Sequence, residues 1–223
     1  MQPSVSSNFP KLIADNNTVE KRSRVMTTPT EKIEREKLLH ESVRTILHGV
    51  GEDPFREGLI DTPKRVTKMF SELLAGYQQD ATELLNGALF DIEHSEMVVV
   101  SDIEFQSLCE HHMLPFLGKA HVAYVPHRKI VGLSKIPRIV EMYSRRLQVQ
   151  ERMTRQIAET ISTLVEPLGV GVITSASHMC SAIRGVKKPD SKMTTTSMLG
   201  VFKSDPSIKS DFINQISISK MTD

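Results

Sequence analysis

The sequence predicts an α+β protein built on an antiparallel sheet, and two observations carry that expectation. Apolar residues recur at helical spacing over 33–47, 66–77, 136–143 and 149–165, whereas 97–105, 120–125, 169–177 and 194–202 are strand-length runs rich in branched residues. The order is helices, two strands, two helices, two strands, which pairs neighbouring strands and lays helices on the sheet. The composition is that of a globular chain able to bury a sizeable core: 223 residues, 39% hydrophobic and 25% charged. A formal net charge of +1 argues against a general nucleic-acid binder, and no apolar run approaches the ~18 residues a membrane helix needs. The expected partner is small or local.

Residues 1–30 are rich in Ser, Thr, Asn and Pro without a sustained apolar period, and are expected to form a disordered tail. Asp15 and Glu20 are foreign to acid-poor transit peptides and no apolar signal region is present, so the expected location is cytoplasmic. Residues 31–95 are expected to form an N-terminal helical segment. Ile33, Leu38, Leu39, Val43, Ile46 and Leu47 trace a first amphipathic helix that stops at the Gly49-Val50-Gly51 break. Asp61-Thr62-Pro63 then offers an N-cap followed by proline at the first helical position, and Val66, Met69, Phe70, Leu73, Leu74 and Tyr77 form one apolar face. Lys64, Arg65 and Lys68 lie off that stripe, as a solvated basic face would. A polar connection is expected over 78–86.

Residues 96–223 are expected to form the domain that carries the chemistry. The runs 97–105 and 120–125 read as antiparallel strands, with Cys109 to His112 in their connection. After Gly132, Ser134 can cap a helix carrying Ile136, Ile139, Val140 and Tyr143, with Pro137 tolerated in its first turn. Lys135 and Arg138 share a face there; unpaired amides and cations suit phosphate, although surface cations on a helix are the commoner case. A second helix over Val149–Glu166 buries Val149, Met153, Ile157, Ile161, Leu164 and Val165. Glu151 points away from that stripe, and a first-turn acid with Arg155 four positions on explains it without function. Strands over Gly169–Ser177 and Thr194–Phe202 enclose the basic turn Arg184–Lys188, and a short helix follows Pro206.

The chemistry concentrates at Ser107-Leu108-Cys109-Glu110-His111-His112, where a thiol precedes an imidazole by three residues with a second imidazole between them. The only other cysteine, Cys180, follows His178 by two. Zinc favours thiolate and imidazole, and a catalytic zinc takes three protein ligands and leaves a fourth position for water or substrate. Cys109, one histidine and Cys180 fill three places. Residues three apart share a face of a turn and residues two apart do not, which makes His112 the better ligand and His111 the better free base. Two alternatives stay open: a disulfide, against which stands the absence of a cysteine framework, and a closed structural zinc with His111 or His178 as fourth ligand.

Cys109-Glu110-His111-His112, Gly132-Leu133-Ser134-Lys135-Ile136, Gln148-Val149-Gln150-Glu151-Arg152, His178-Met179-Cys180 and Thr194-Thr195-Thr196-Ser197 together resemble GTP cyclohydrolase I, in that family's order and spacing, over roughly Glu31 to Ile216. The resemblance implies a tunnelling fold, in which ββααββ units join side by side into an oligomeric barrel, and a homodecamer of two stacked pentamers. It implies a zinc-dependent hydrolase converting GTP and water to 7,8-dihydroneopterin triphosphate and formate, the first step of pterin biosynthesis toward folate or tetrahydrobiopterin. By the same resemblance Cys109, His112 and Cys180 bind Zn2+, while Glu151, aided by Gln150, holds guanine. Ser134 acts near the ribose, His111 and His178 move protons, and Lys135, Arg138 and Arg184, with Arg65 and Lys68 from the earlier helix, face the triphosphate. No residue pattern marks a regulatory protein partner.

The residue types suit that chemistry. Opening a purine at C8 needs a nucleophilic water at neutral pH, which a zinc site supplies, and protons for the leaving nitrogens, which unliganded histidines supply. Guanine presents two adjacent N–H donors that one carboxylate can accept together. Two rivals differ in class: a zinc-stabilised interaction module, with every metal position filled by protein, and a tunnelling-fold reductase using a cysteine nucleophile on a deazaguanine nitrile.

Overall fold

The computed structural model describes residues 29–91 and 96–219, so the tail expected over 1–30 lies, up to residue 28, outside the described residues. In chain order the elements are α1 (Pro29–Gly49), α2 (Thr62–Leu73), a 3-10 turn (Ala75–Gln78), α3 (Ala81–Leu85), β1 (Leu89–Asp91), β2 (Val98–Cys109), β3 (Pro115–Val125) and β4 (Lys129–Val131). They continue as α4 (Lys135–Ser144), β5 (Leu147–Gln148), α5 (Gln150–Val165), β6 (Gly169–His178), α6 (Met179–Ala182), β7 (Met193–Gly200), α7 (Val201–Ser204) and α8 (Pro206–Ser219). The main sheet runs β5-β2-β3-β6-β7 and is antiparallel except for the β2/β5 pairing. The expected ββααββ unit is therefore present as β2, β3, α4, α5, β6 and β7.

Alternation along the strands divides the side chains between two faces. Ala120, Val122 and Tyr124 of β3 and Val170 and Val172 of β6 meet Ile136, Ile139 and Val140 of α4 and Met153, Ile157, Ile161 and Val165 of α5 in one core. Ala123 and Val125 point the other way and meet Phe202, Phe212 and Ile216. Burying one such side chain is worth about 1.5–3 kcal/mol, so the helical stripes and the strand alternation must agree for both cores to form. The β3/β6 contact is close enough to require glycine at 118, where a Cβ would stand 2.0 Å from the Ser175 carbonyl oxygen.

Where the structure departs from expectation, long-range contacts decide. The strand expected to reach Phe202 stops at Gly200, whose φ of 57° turns the chain into α7. Phe202 leaves the sheet and packs edge-on against Phe212 at 5.7 Å. The helix after Pro206 is 14 residues long and not short, because Phe212 and Ile216 bury under the sheet. The polar stretch 78–86 contains α3, begun by Asp80, whose Oδ1 accepts from the Thr82 and Glu83 amides at 2.9 and 3.1 Å. Neither Asp61 nor Ser134 caps its helix with its side chain, since both already have helical backbone angles. In α1 only Val43 of the expected stripe is buried, while Ile33, Leu38 and Ile46 are exposed. The three-residue strands β1 and β4 pair as a separate small sheet, too short to show a period in sequence.

Candidate metal centre

Sheet register brings the site to one end of the fold. Leu108 pairs with Pro115, Phe116 with His178, Ala176 with Met193 and Cys109 with Gln148. The end of β2, the start of β3, the end of β6 and the entry to α5 therefore meet. Cys109 itself closes β2, and the turn after it folds back: the His112 and Met113 amides donate to the Cys109 carbonyl at 3.3 and 2.7 Å, with Met113 at φ 53°. The Glu110 amide donates to the Gln148 carbonyl at 3.0 Å, while the Glu110 carboxylate is bound by the Arg152 guanidinium. Arg152 Nε also donates to Gln148 Oε1 at 3.1 Å, so main chain and side chain together clamp the turn to β5 and the start of α5.

The result is convergence: one ligand atom each from Cys109, His112 and Cys180 lies within 4.8 Å of the others. A tetrahedral zinc holds such atoms about 3.5–3.8 Å apart, so the three are within roughly an ångström of ligand geometry. Both cysteines are free thiols. Burial, then the neighbouring Cys109, push the Cys180 thiol above its usual range, and Arg184 works against them. A bound divalent cation would reverse that balance, since it deprotonates the thiols that hold it. His111 lies outside the converging group, with Nδ1 3.9 Å from Cys109 Sγ and its ring edge-on to His112 at 6.3 Å.

His178 lies flat on Phe116, ring centroids 4.6 Å apart and 1° from parallel. Burial pushes its imidazole below the usual histidine range, and the Glu151 carboxylate works against that. Glu151 is exposed in the first turn of α5, and Arg155, four positions on, pairs with Glu159 at 3.6 Å. The Gln150 side chain, expected to aid Glu151, is 1% exposed, with Nε2 3.1 Å from the Thr174 carbonyl and 2.9 Å from the Met193 carbonyl, and Oε1 2.9 Å from His178 Nε2.

The expected phosphate ligands are dispersed. Arg184 donates to the Cys180 carbonyl at 3.4 Å and so stands beside the thiols. Lys135 is half-buried and donates to the Leu84 carbonyl at the end of α3, at 2.9 Å, so it does not share an open face with exposed Arg138. Arg65 pairs with Asp61 at 3.5 Å and Lys68 with Glu72 at 3.9 Å on α2. Among the described residues no hydrogen bond or ion pair joins Ser134, Arg138, Arg65 or Lys68 to the thiol cluster. Sequence reasoning missed Phe116, Arg152, Thr154, Thr174 and Thr195, whose contacts depend on pairing across elements; of these, Arg152 and Thr195 lay within motifs already noticed.

A profile described as GTP cyclohydrolase I matches residues 39–217. A Synechococcus sp. protein named GTP cyclohydrolase 1 is 59% identical over 175 residues, covering 78% of this chain and 76% of that one. A Gloeobacter violaceus protein of the same name is 58% identical over 176 residues, covering 79% and 82%. Among solved structures, the archaeosine synthase QueF-Like in the apo form is similar at a TM-score of 0.41 and 15% identity, covering 48% of this chain and 97% of that one.

Proposed function

The chain belongs to the GTP cyclohydrolase I family and is an enzyme of that kind, and from this premise we propose that it uses zinc to convert GTP and water to 7,8-dihydroneopterin triphosphate and formate. The observation that most supports the metal is the convergence of Cys109, His112 and Cys180, two thiols and an imidazole from segments ~70 residues apart. Zinc held there supplies the Lewis acidity that makes water nucleophilic near neutral pH.

The chain's own residues do the rest. Glu151, exposed at the start of α5, accepts the two N–H donors of guanine's pairing edge, which adenine does not present. His178 and His111 exchange protons with the opening ring, and Ser134 contacts the ribose. Arg184, Lys135 and Arg138 bind the triphosphate, with Arg65 and Lys68 reaching it from a neighbouring subunit of a homodecamer. The closed structural zinc is disfavoured because its two possible fourth ligands, His111 and His178, fall outside the converging group and His178 Nε2 faces Gln150. The nitrile reductase is disfavoured because both cysteines share one cluster, leaving no separate nucleophile.

Incubating zinc-loaded protein with GTP tests the reading. The expected result is formate released one for one with a pterin chromophore. Stable zinc binding without GTP turnover would support the interaction module and overturn the cyclohydrolase reading.

A further inference from the structure

Three threonines from three elements meet behind Gln150. Thr174 of β6 and Thr195 of β7 are register partners with hydroxyls 2.8 Å apart, and the Thr154 hydroxyl of α5 lies 2.8 Å from the first and 2.7 Å from the second. Thr154 and Thr174 are 1% and 0% exposed. Valine has nearly the same shape, and a buried hydroxyl costs about 1–3 kcal/mol when it is not hydrogen-bonded, so packing alone does not explain three of them together.

The triangle touches Gln150 at both ends. Thr154 donates to the Gln150 main-chain carbonyl at 2.8 Å, and Thr174 Oγ1 lies 3.2 Å from Gln150 Nε2. The same nitrogen faces the Thr174 and Met193 carbonyls. Carbonyls only accept, so the NH2 group must be on that side and the amide oxygen on the side of His178. An amide oxygen also only accepts, so the His178 nitrogen 2.9 Å away must carry hydrogen. The lone pair of the neutral ring is then on Nδ1, and stacking on Phe116 opposes rotation of the ring.

We propose that the Thr154–Thr174–Thr195 hydroxyl triangle is a positioning device: by tying α5 to β6 and β7 it keeps the Thr174 and Met193 carbonyls on the Gln150 NH2 group, and the amide so oriented holds His178 as the Nε2–H tautomer, so that any proton His178 exchanges with substrate passes through Nδ1. Thr154, Thr174, Thr195 and Gln150 are thereby positioning residues. The kinetic consequence rests on His178 acting in the proposed reaction, whereas the tautomer does not.

The test uses the zinc-loaded full chain with Thr195→Val, Thr154→Val and Thr195→Ser, read by nitrogen-15 NMR of labelled histidine at a pH where the ring is neutral, and by GTP kinetics. His178 in the parent chain should show a single Nε2–H tautomer. Both valine variants should keep zinc and KM, show a tautomer mixture, and lose kcat about ten-fold, part of the ~10²–10⁴ that a positioned acid–base group contributes. Thr195→Ser should restore both readouts. Should Thr154→Val fail to fold, Thr195→Ala at the half-buried corner carries the same expectation. A mixed tautomer in the parent chain, or valine variants that lose stability with His178 unmoved, overturns the proposal. Because the NMR readout needs no turnover, a chain inactive on GTP defeats the functional reading and leaves this test standing.

Discussion

Cys180 sits on the four-residue helix α6, with Cys109 across from it and the Arg184 guanidinium on its own carbonyl. Three ligands must lose or lack a proton together to hold a metal, so removing one should release it. Cys180→Ser and His112→Ala are therefore expected to lose zinc and GTP turnover together, whereas His111→Ala should keep zinc and lose turnover. Metal analysis of the purified variants checks this. Full occupancy in Cys180→Ser removes that residue from the ligand set, and a metal-depleted His111→Ala beside a replete His112→Ala exchanges the two histidines. At this scale the convergence of His112, rather than His111, with the two thiols was legible from spacing, because the geometry of one turn is local.

The short helix α3 shows how an element prepares the site. Asp80 caps its N-terminus with two amide hydrogen bonds, Asn86 closes it in the left-handed conformation, and its Leu84 carbonyl receives the Lys135 ammonium. Asp80→Ala should cost about 1 kcal/mol of stability, the usual worth of an N-cap, measured as a lower midpoint in urea with an unchanged slope. An unchanged midpoint would mean that α3 is held by Leu85 packing and the Lys135 contact alone. The element was invisible in sequence because five residues make little more than one turn and show no period. Helices α4 and α5 were legible for the opposite reason: each carries several turns of one apolar stripe, and each buries it on the same sheet face.

At the scale of the whole molecule, strand β7 ends the main sheet with one side unpaired among the described residues, α1 exposes Ile33, Leu38 and Ile46, and Arg65 and Lys68 lie on α2, which packs on α1 and the 75–78 turn. Pairing sheet edges between copies removes the unpaired backbone groups, which supports a homo-oligomer with shared pockets. Chains carrying Cys180→Ser and chains carrying Arg65→Ala, each inactive alone, should regain partial activity when co-assembled. Mixed oligomers verified by mass and still inactive would refute sharing, and an active monomer in light scattering would remove the oligomer itself.

The sequence by itself determined the α+β class, the order of the strands and main helices, and the Cys109–His112 spacing, because periodicity and turn geometry act over a few residues; Cys180 was legible only as the one other cysteine of the chain. Tertiary structure alone decided which ends of β2 and β6 meet, where Phe202 leaves the sheet, and that Gln150 turns inward to His178. The carbonyls that turn it lie 24 and 43 residues further along the chain. No local pattern records such partners, since they exist for Gln150 only after β6 and β7 have paired and α5 has packed against them.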